Sequence, residues 1–111
     1  MAQSNLEAAF AYYWRVLSGP PLVAEYRFHP RRKHRIDFAC PDKKIGIEIQ
    51  GGTWLQAGGR HNRGDGYTKD CIKLNLAVLA GWRLFWLTSD MLTNEPELHL
   101  KPIIELIESE L

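Results

Sequence analysis

Asp37 and Glu48 are carboxylates set in apolar, β-forming surroundings, Ile36-Asp37-Phe38 and Ile47-Glu48-Ile49-Gln50, with the polar turn Pro41-Asp42-Lys43 between them. If a four-residue turn at 41–44 joins the two segments, Cys40 pairs with Ile45, Phe38 with Ile47 and Asp37 with Glu48. The acids then stand opposite each other on one face, Cβ atoms roughly 5 Å apart, where like charges repel. Such a pair persists when a cation lies between the carboxylates or when they share a proton. Oxygen-only ligation with room for water suits Mg²⁺, with Mn²⁺ as a substitute, rather than zinc. An ion so held polarises a phosphate, lowers the pKa of bound water and stabilises a leaving oxygen, which is the chemistry of phosphodiester hydrolysis. Gln50 lies two residues past Glu48 and points the same way. Its amide can orient water or contact a phosphate, but it carries no charge.

The elements that must position these residues follow from periodicity. Leu6, Phe10, Tyr13, Trp14 and Leu17 recur at three- and four-residue steps, which predicts a helix over 4–17. Ser4-Asn5-Leu6-Glu7 has the form of a capping box, and Ser18-Gly19-Pro20-Pro21 stops the helix. Strands are expected at 22–28, 33–40 and 44–50. In the last of these the isoleucines fall on one face and Gly46, Glu48 and Gln50 on the other. Residues 51–66 hold 6 of the 9 glycines and read as a long loop, of a length often functional or mobile. A helix over 67–80, with Ile72, Leu76 and Leu79 on its buried face, ends at Gly81. A fourth strand spans 82–87, Thr88-Ser89-Asp90 opens a short turn of helix, and a C-terminal helix starts near Glu97, with Pro102 a candidate for its true first turn. The order is αβββαβα in one domain over 1–111, an α/β fold with a mixed central sheet covered by helices on both faces.

Composition narrows the class. The chain has 111 residues and 45% hydrophobic content, enough for a packed core. No apolar run approaches the ~20 residues that span a bilayer, and the N-terminus lacks the basic start and apolar stretch of a signal peptide. A cytoplasmic protein, in a bacterial or phage-infected host cell, with no membrane partner is expected. Cys40 and Cys71 form no CxxC or zinc-type pattern and read as reduced, buried thiols. The net charge of +1 conceals a split. Residues 1–89 hold 13 Lys/Arg against 7 Asp/Glu, whereas residues 90–111 hold one Lys against 6 acids. A basic body with an acidic tail suits contact with nucleic acid on one side, but charge alone favours an ordinary solvated acidic helix at the end of a neutral domain.

A strand bearing Asp, a turn, and a strand bearing Glu-x-Gln, preceded by a helical glutamate and followed by a helix, resemble the PD-(D/E)xK nuclease superfamily. The small size and the helix carrying Glu7 are similar to Holliday-junction resolvases. Gly59-Arg60-His61, Gly66-Tyr67, Asp70, Lys73-Leu74-Asn75 and Gly81-Trp82 resemble small phage-encoded members and the very-short-patch-repair-like branch. The likeness covers about residues 4–88. It implies a restriction-endonuclease-like core and a metal-dependent DNA endonuclease leaving a 3′-hydroxyl and a 5′-phosphate. Asp37 and Glu48 would be the metal ligands, with Glu7 completing the site directly or through water, and Gln50 would stand in the place of the usual lysine. Ile36 replaces the proline of the motif name, a minor departure. Gln50 is the larger one; active superfamily members with glutamine exist, and Lys69 or Lys73 on the next helix can supply the missing charge.

Each residue has a plainer role in competition. Asp37 can pair with Arg35 or Lys33, Glu48 can be a solvated strand residue, and the capping box alone explains Glu7. Arg31, Arg32, Lys33 and Arg35 lead straight into the site and suit phosphate contact, or are a solvated face. His61, with Arg60 and Arg63 in the glycine-rich loop, is assigned to phosphate contact; His29, His34 and His99 read as structural or exposed. Lys69 and Lys73 share one helical face and either reach the site or solvate the helix. Trp54 is read as anchoring the loop rather than stacking on an unpaired base, and Trp14, Trp82 and Trp86 are core candidates. One small domain has little surface for reading base sequence, so branched DNA such as a four-way junction is the expected substrate. A junction needs two cuts, so a homodimer is expected. Two other classes compete: a DNA-binding or DNA-bridging module that kept the fold and lost cutting, and a protein-interaction domain using its acidic C-terminal helix.

Overall fold

The computed structural model describes residues 5–51 and 66–109. Helix α1 (Asn5–Val16) leads into strands β1 (Val23–Arg27), β2 (Arg35–Cys40) and β3 (Ile45–Gln50). Helix α2 (Tyr67–Leu79), strand β4 (Arg83–Thr88), the short helix α3 (Ser89–Asn94) and helix α4 (Pro96–Ser109) follow. The protein is an α/β fold with a four-stranded mixed sheet in the order β1-β2-β3-β4. β1, β2 and β3 pair antiparallel, and β3 pairs parallel with β4 across the α2 crossover. Trp54, Arg60, His61 and Arg63 lie outside the described residues, as does Ser4 of the expected capping box.

The 41–44 turn closes as expected. Lys43 N–H donates to the Cys40 carbonyl and Lys44 N–H to that of Pro41. The ladder then pairs Cys40 with Ile45, Ala39 with Gly46 and Phe38 with Ile47. This fixes which side chains of β3 face which layer. Ile45 and Ile47 pack with Phe10 and Trp14 of α1, Leu92 of α3, and Leu100, Ile103, Ile104 and Ile107 of α4. On the other face Ile36, Ala39 and Trp82 pack with Ala77 of α2. Gly46 lies on that second face, where a Cβ would come within 2.7 Å of Leu84 Cδ2 and 2.8 Å of Ile36 Cγ2. Gly46→Ala is therefore expected to cost about 1–3 kcal/mol through overpacking, read as a fall in the urea midpoint with the slope unchanged.

Helix α2 ends on Gly81, whose φ of +92° a side chain would strain. Gly81 N–H donates to Val78 O and Trp82 N–H to Ala77 O, the paired bonds of a Schellman motif.

Several expectations need correction. The buried stripe of α2 is not Ile72, Leu76 and Leu79. Leu79 is 82% exposed, Ile72 is exposed, and Leu76 is half-buried. The side of α2 that meets the sheet instead carries Ala77, which packs with Ile36, Ala39 and Trp82, and Lys73, which pairs with Glu48. The C-terminal helix begins at Pro96, with Pro102 inside it. Pro102 removes one donor to Leu98, an exposed residue whose carbonyl water can reach. Cys40 and Cys71 are free thiols, as expected, but half-buried rather than buried. Trp14 and Trp82 are core residues, whereas Trp86 is 42% exposed. It sits on β4, the last strand of the sheet among the described residues. No helix among the described residues is long and apolar enough to cross a membrane.

Candidate functional site

Beyond the Phe38–Ile47 pair, β2 and β3 are joined through side chains. Asp37 N–H donates to Glu48 Oε2 at 3.0 Å, and Ile49 N–H donates to Asp37 Oδ2 at 2.8 Å. Each acid thus satisfies a backbone donor of the neighbouring strand, which locks both carboxylates in place. Part of this arrangement comes from β1. The β1–β2 pairs run Val23–Ala39, Ala24–Phe38, Tyr26–Ile36 and Arg27–Arg35, which sets Glu25 opposite Asp37. Glu25 has a φ of +53°, uncommon for a non-glycine residue. Strict alternation also fails here: Ile36 and Ala39 are three residues apart yet share one core cluster.

Asp37, Glu48 and Gln50 line one pocket of about 210 Å³, together with Asp70, Lys73 and Leu74 of α2 and Leu84 and Trp86 of β4. The expected convergence of the two acids with Gln50 is present in the geometry. Glu48 is 6% exposed and receives a hydrogen bond from Lys73 Nζ to Oε1 at 2.5 Å. A buried carboxylate requires such a partner, and Lys73 sits where the uncharged Gln50 leaves the pocket short of a cation. Lys69, four residues earlier, is exposed and is not part of the lining.

Glu7 approaches Asp37 from α1. One oxygen from each of Glu7, Glu25 and Asp37 lies within 4.8 Å of the others. Glu25 was not expected at the site. Its register partner was legible only once β1 and β2 were aligned, and no tight turn joins those two strands. Glu25 also forms an exposed ion pair with Arg35 at 3.8 Å, so Arg35 is partnered by Glu25 rather than by Asp37.

The acids raise one another's cost of ionisation. Burial, then the Glu48 carboxylate and to a smaller extent Glu7, push the Asp37 carboxyl up to about 6, while the Ile49 N–H bond and the Lys73 ammonium pull the other way. In the unfolded chain Asp37 titrates near its ordinary 3.8. Between those values the folded protein binds the extra proton, so Asp37 favours folding at acid pH and opposes it once ionised. Relative to Asp37→Asn, the metal-free wild type should lose stability as pH rises from about 4 to about 7, measured by denaturant unfolding in EDTA. A difference that stays flat over that range would contradict the crowding described here.

The donor set fits a hard divalent cation. It is all oxygen, each carboxylate oxygen keeps a second lone pair beyond its present hydrogen bond, and neutralising Asp37 removes a repulsion the fold now tolerates. Among the described residues the carboxylates close enough to share one ion are Glu7, Glu25 and Asp37; Glu48 lies outside that group and reaches Asp37 through the Asp37 N–H bond.

Arg31, Arg32, Lys33 and Arg35 are all exposed on the approach to β2. Their loop is organised by His29, whose Nδ1 accepts from Arg31 N–H and Arg32 N–H at 3.1 Å each. His34 stacks on Phe28. Burial, then the charges of Arg32, Lys73 and His29, hold its pKa below the ordinary imidazole range. Comparison with protein-family models, with curated proteins and with solved structures finds no match.

Proposed function

We propose that this chain is a metal-dependent endodeoxyribonuclease with a PD-(D/E)xK-like core that hydrolyses phosphodiester bonds in branched DNA, such as four-way junctions. The observation that carries the reading is the interlocked pair Asp37–Glu48, lining one pocket with Gln50 and the half-buried Lys73. A structural ion pair explains Lys73 and Glu48. It does not explain a second, half-buried carboxylate held beside them with its charge opposed by Glu48 and Glu7.

Mg²⁺, with Mn²⁺ in its place, supplies electrophilic polarisation of the phosphate and an acidified water when bound. Asp37 and Glu48 hold the ion, with Glu7 in support. Gln50 orients the water for in-line attack through its amide. Lys73, hydrogen-bonded to Glu48, offsets charge gathering on the phosphate oxygens. Arg31, Arg32 and Lys33 carry the DNA backbone, a role that makes binding weaken with salt. Two cuts are needed to resolve a junction, so a homodimer is the working assembly.

Labelled junction, flap and linear duplex incubated with Mg²⁺, Mn²⁺ or EDTA test the reading. Metal-dependent 5′-phosphorylated product, most abundant on the junction, is the expected result. Junction binding without product would make the chain a DNA-bridging module. Absence of DNA affinity at low salt would leave the acidic face of α4 as the functional surface.

A further inference from the structure

We infer that Trp86 is a stacking platform for an unpaired base beside the phosphate to be cut, so that the pocket takes a nucleotide displaced from duplex pairing. This rests on the nuclease reading and narrows its substrate.

Trp86 differs from the other described tryptophans. Trp14 and Trp82 are each 6% exposed, and Trp82 packs against Tyr26 and Phe28. Trp86 is 42% exposed, and among the described residues no ring packs on it. Its place follows from the sheet. In the parallel ladder Glu48 is paired with Trp86, so the indole is carried beside the acid on the neighbouring strand. Among the described residues β4 is the last strand of the sheet, and the ring beside it is 42% exposed. Asp37, Glu48, Gln50 and Trp86 then share one lining. A large apolar ring left half in water is costly, and a core function would have buried it.

The chemistry of the partner follows from that lining. A flat apolar ring binds another flat ring, and a carboxylate pair with its cation binds a phosphate. A nucleotide carries both groups joined by a sugar. In an intact duplex both faces of every base are covered by neighbours, so the indole finds a base only where one is single-stranded, bulged or flipped out. Gln50, in the same pocket, has a donor and an acceptor that can meet the edge of a stacked base. Stacking tolerates every base, so the expected preference is for unpaired structure rather than for sequence.

The test compares wild type, Trp86→Ala and Trp86→Phe for binding to labelled oligothymidylate and to a blunt duplex of the same length, in EDTA so that nothing is cut. Trp86→Ala should weaken oligothymidylate binding about tenfold and leave duplex binding within about twofold. Trp86→Phe keeps a ring and should retain most of the single-strand affinity, which separates lost stacking from a misfolded variant. Equal losses on both probes, or none on either, would overturn the inference. Cleavage of a branched duplex with Mg²⁺ is measured in parallel. A wild type that cuts, with binding indifferent to Trp86, removes the stacking role and keeps the nuclease. Selective loss of single-strand binding in a protein that never cuts removes the nuclease and keeps the stacking role.

Discussion

Asp37→Asn should abolish metal-dependent cleavage while leaving a folded protein. The amide keeps the side chain's shape and an oxygen that can accept the Ile49 N–H bond, so the β2–β3 junction survives. Charge is what is lost. A divalent ion shared by two carboxylates would be left with one, and electrophilic assistance worth several kcal/mol goes with it. A fall of roughly 10³-fold in cleavage rate is the expected scale. Metal-free stability at neutral pH should rise, because the ionised Asp37 carboxylate is a cost to the fold there. The two effects run in opposite directions, and a variant that simply misfolded would not show both. Retained cleavage in Asp37→Asn would mean that the acid pair is not the reaction centre.

Lys73→Met should be the most damaging single change to metal-free stability in the pocket. Methionine replaces the stem of lysine but not its ammonium, and Glu48 is left buried with a charge that Asp37 N–H alone must answer. Breaking a buried pair on one side typically costs about 3–5 kcal/mol. Most of that loss should return in Lys73→Met/Glu48→Gln, since the penalty belongs to the unpaired charge rather than to the missing contact. Mg²⁺ should stabilise Lys73→Met more than it stabilises wild type, because the ion then supplies the charge Glu48 lacks. Thermal melts of wild type, Lys73→Met and Lys73→Met/Glu48→Gln with and without Mg²⁺ read all of this. A Lys73→Met protein within 1 kcal/mol of wild type would show the ion pair to be incidental.

The sequence made the β2–β3 hairpin legible for a physical reason. A four-residue turn fixes register, and clean alternation through Ile45–Gln50 fixes the faces, so Glu48 and Gln50 had one place to go. Helix α1 was equally plain, because its apolar stripe has no competitor. Helix α2 was misread because two stripes exist on it. The more apolar one, with Ile72 and Leu79, faces out, and the stripe that packs includes a lysine whose partner lies twenty-five residues away in sequence. Periodicity counts apolar residues and is blind to a buried ion pair. Trp86 was misread for a related reason. Arg83-Leu84-Phe85-Trp86-Leu87-Thr88 reads as an apolar strand, and nothing within it says that it ends the sheet. Glu25 was missed because the segment between β1 and β2 is too long to set a register. The bonds from Asp37 N–H to the Glu48 carboxylate and from Ile49 N–H to the Asp37 carboxylate stand where a pairing rule would have assigned ladder bonds by default.

A crystal soaked in Mn²⁺, with data collected for manganese anomalous scattering, reaches the centre of the account most directly. The prediction is a peak within coordinating distance of the Asp37 and Glu48 carboxylates together, and none in Asp37→Asn. A soaked crystal with both side chains ordered and no anomalous density between them, or with density only at the exposed acids of α4, would contradict it.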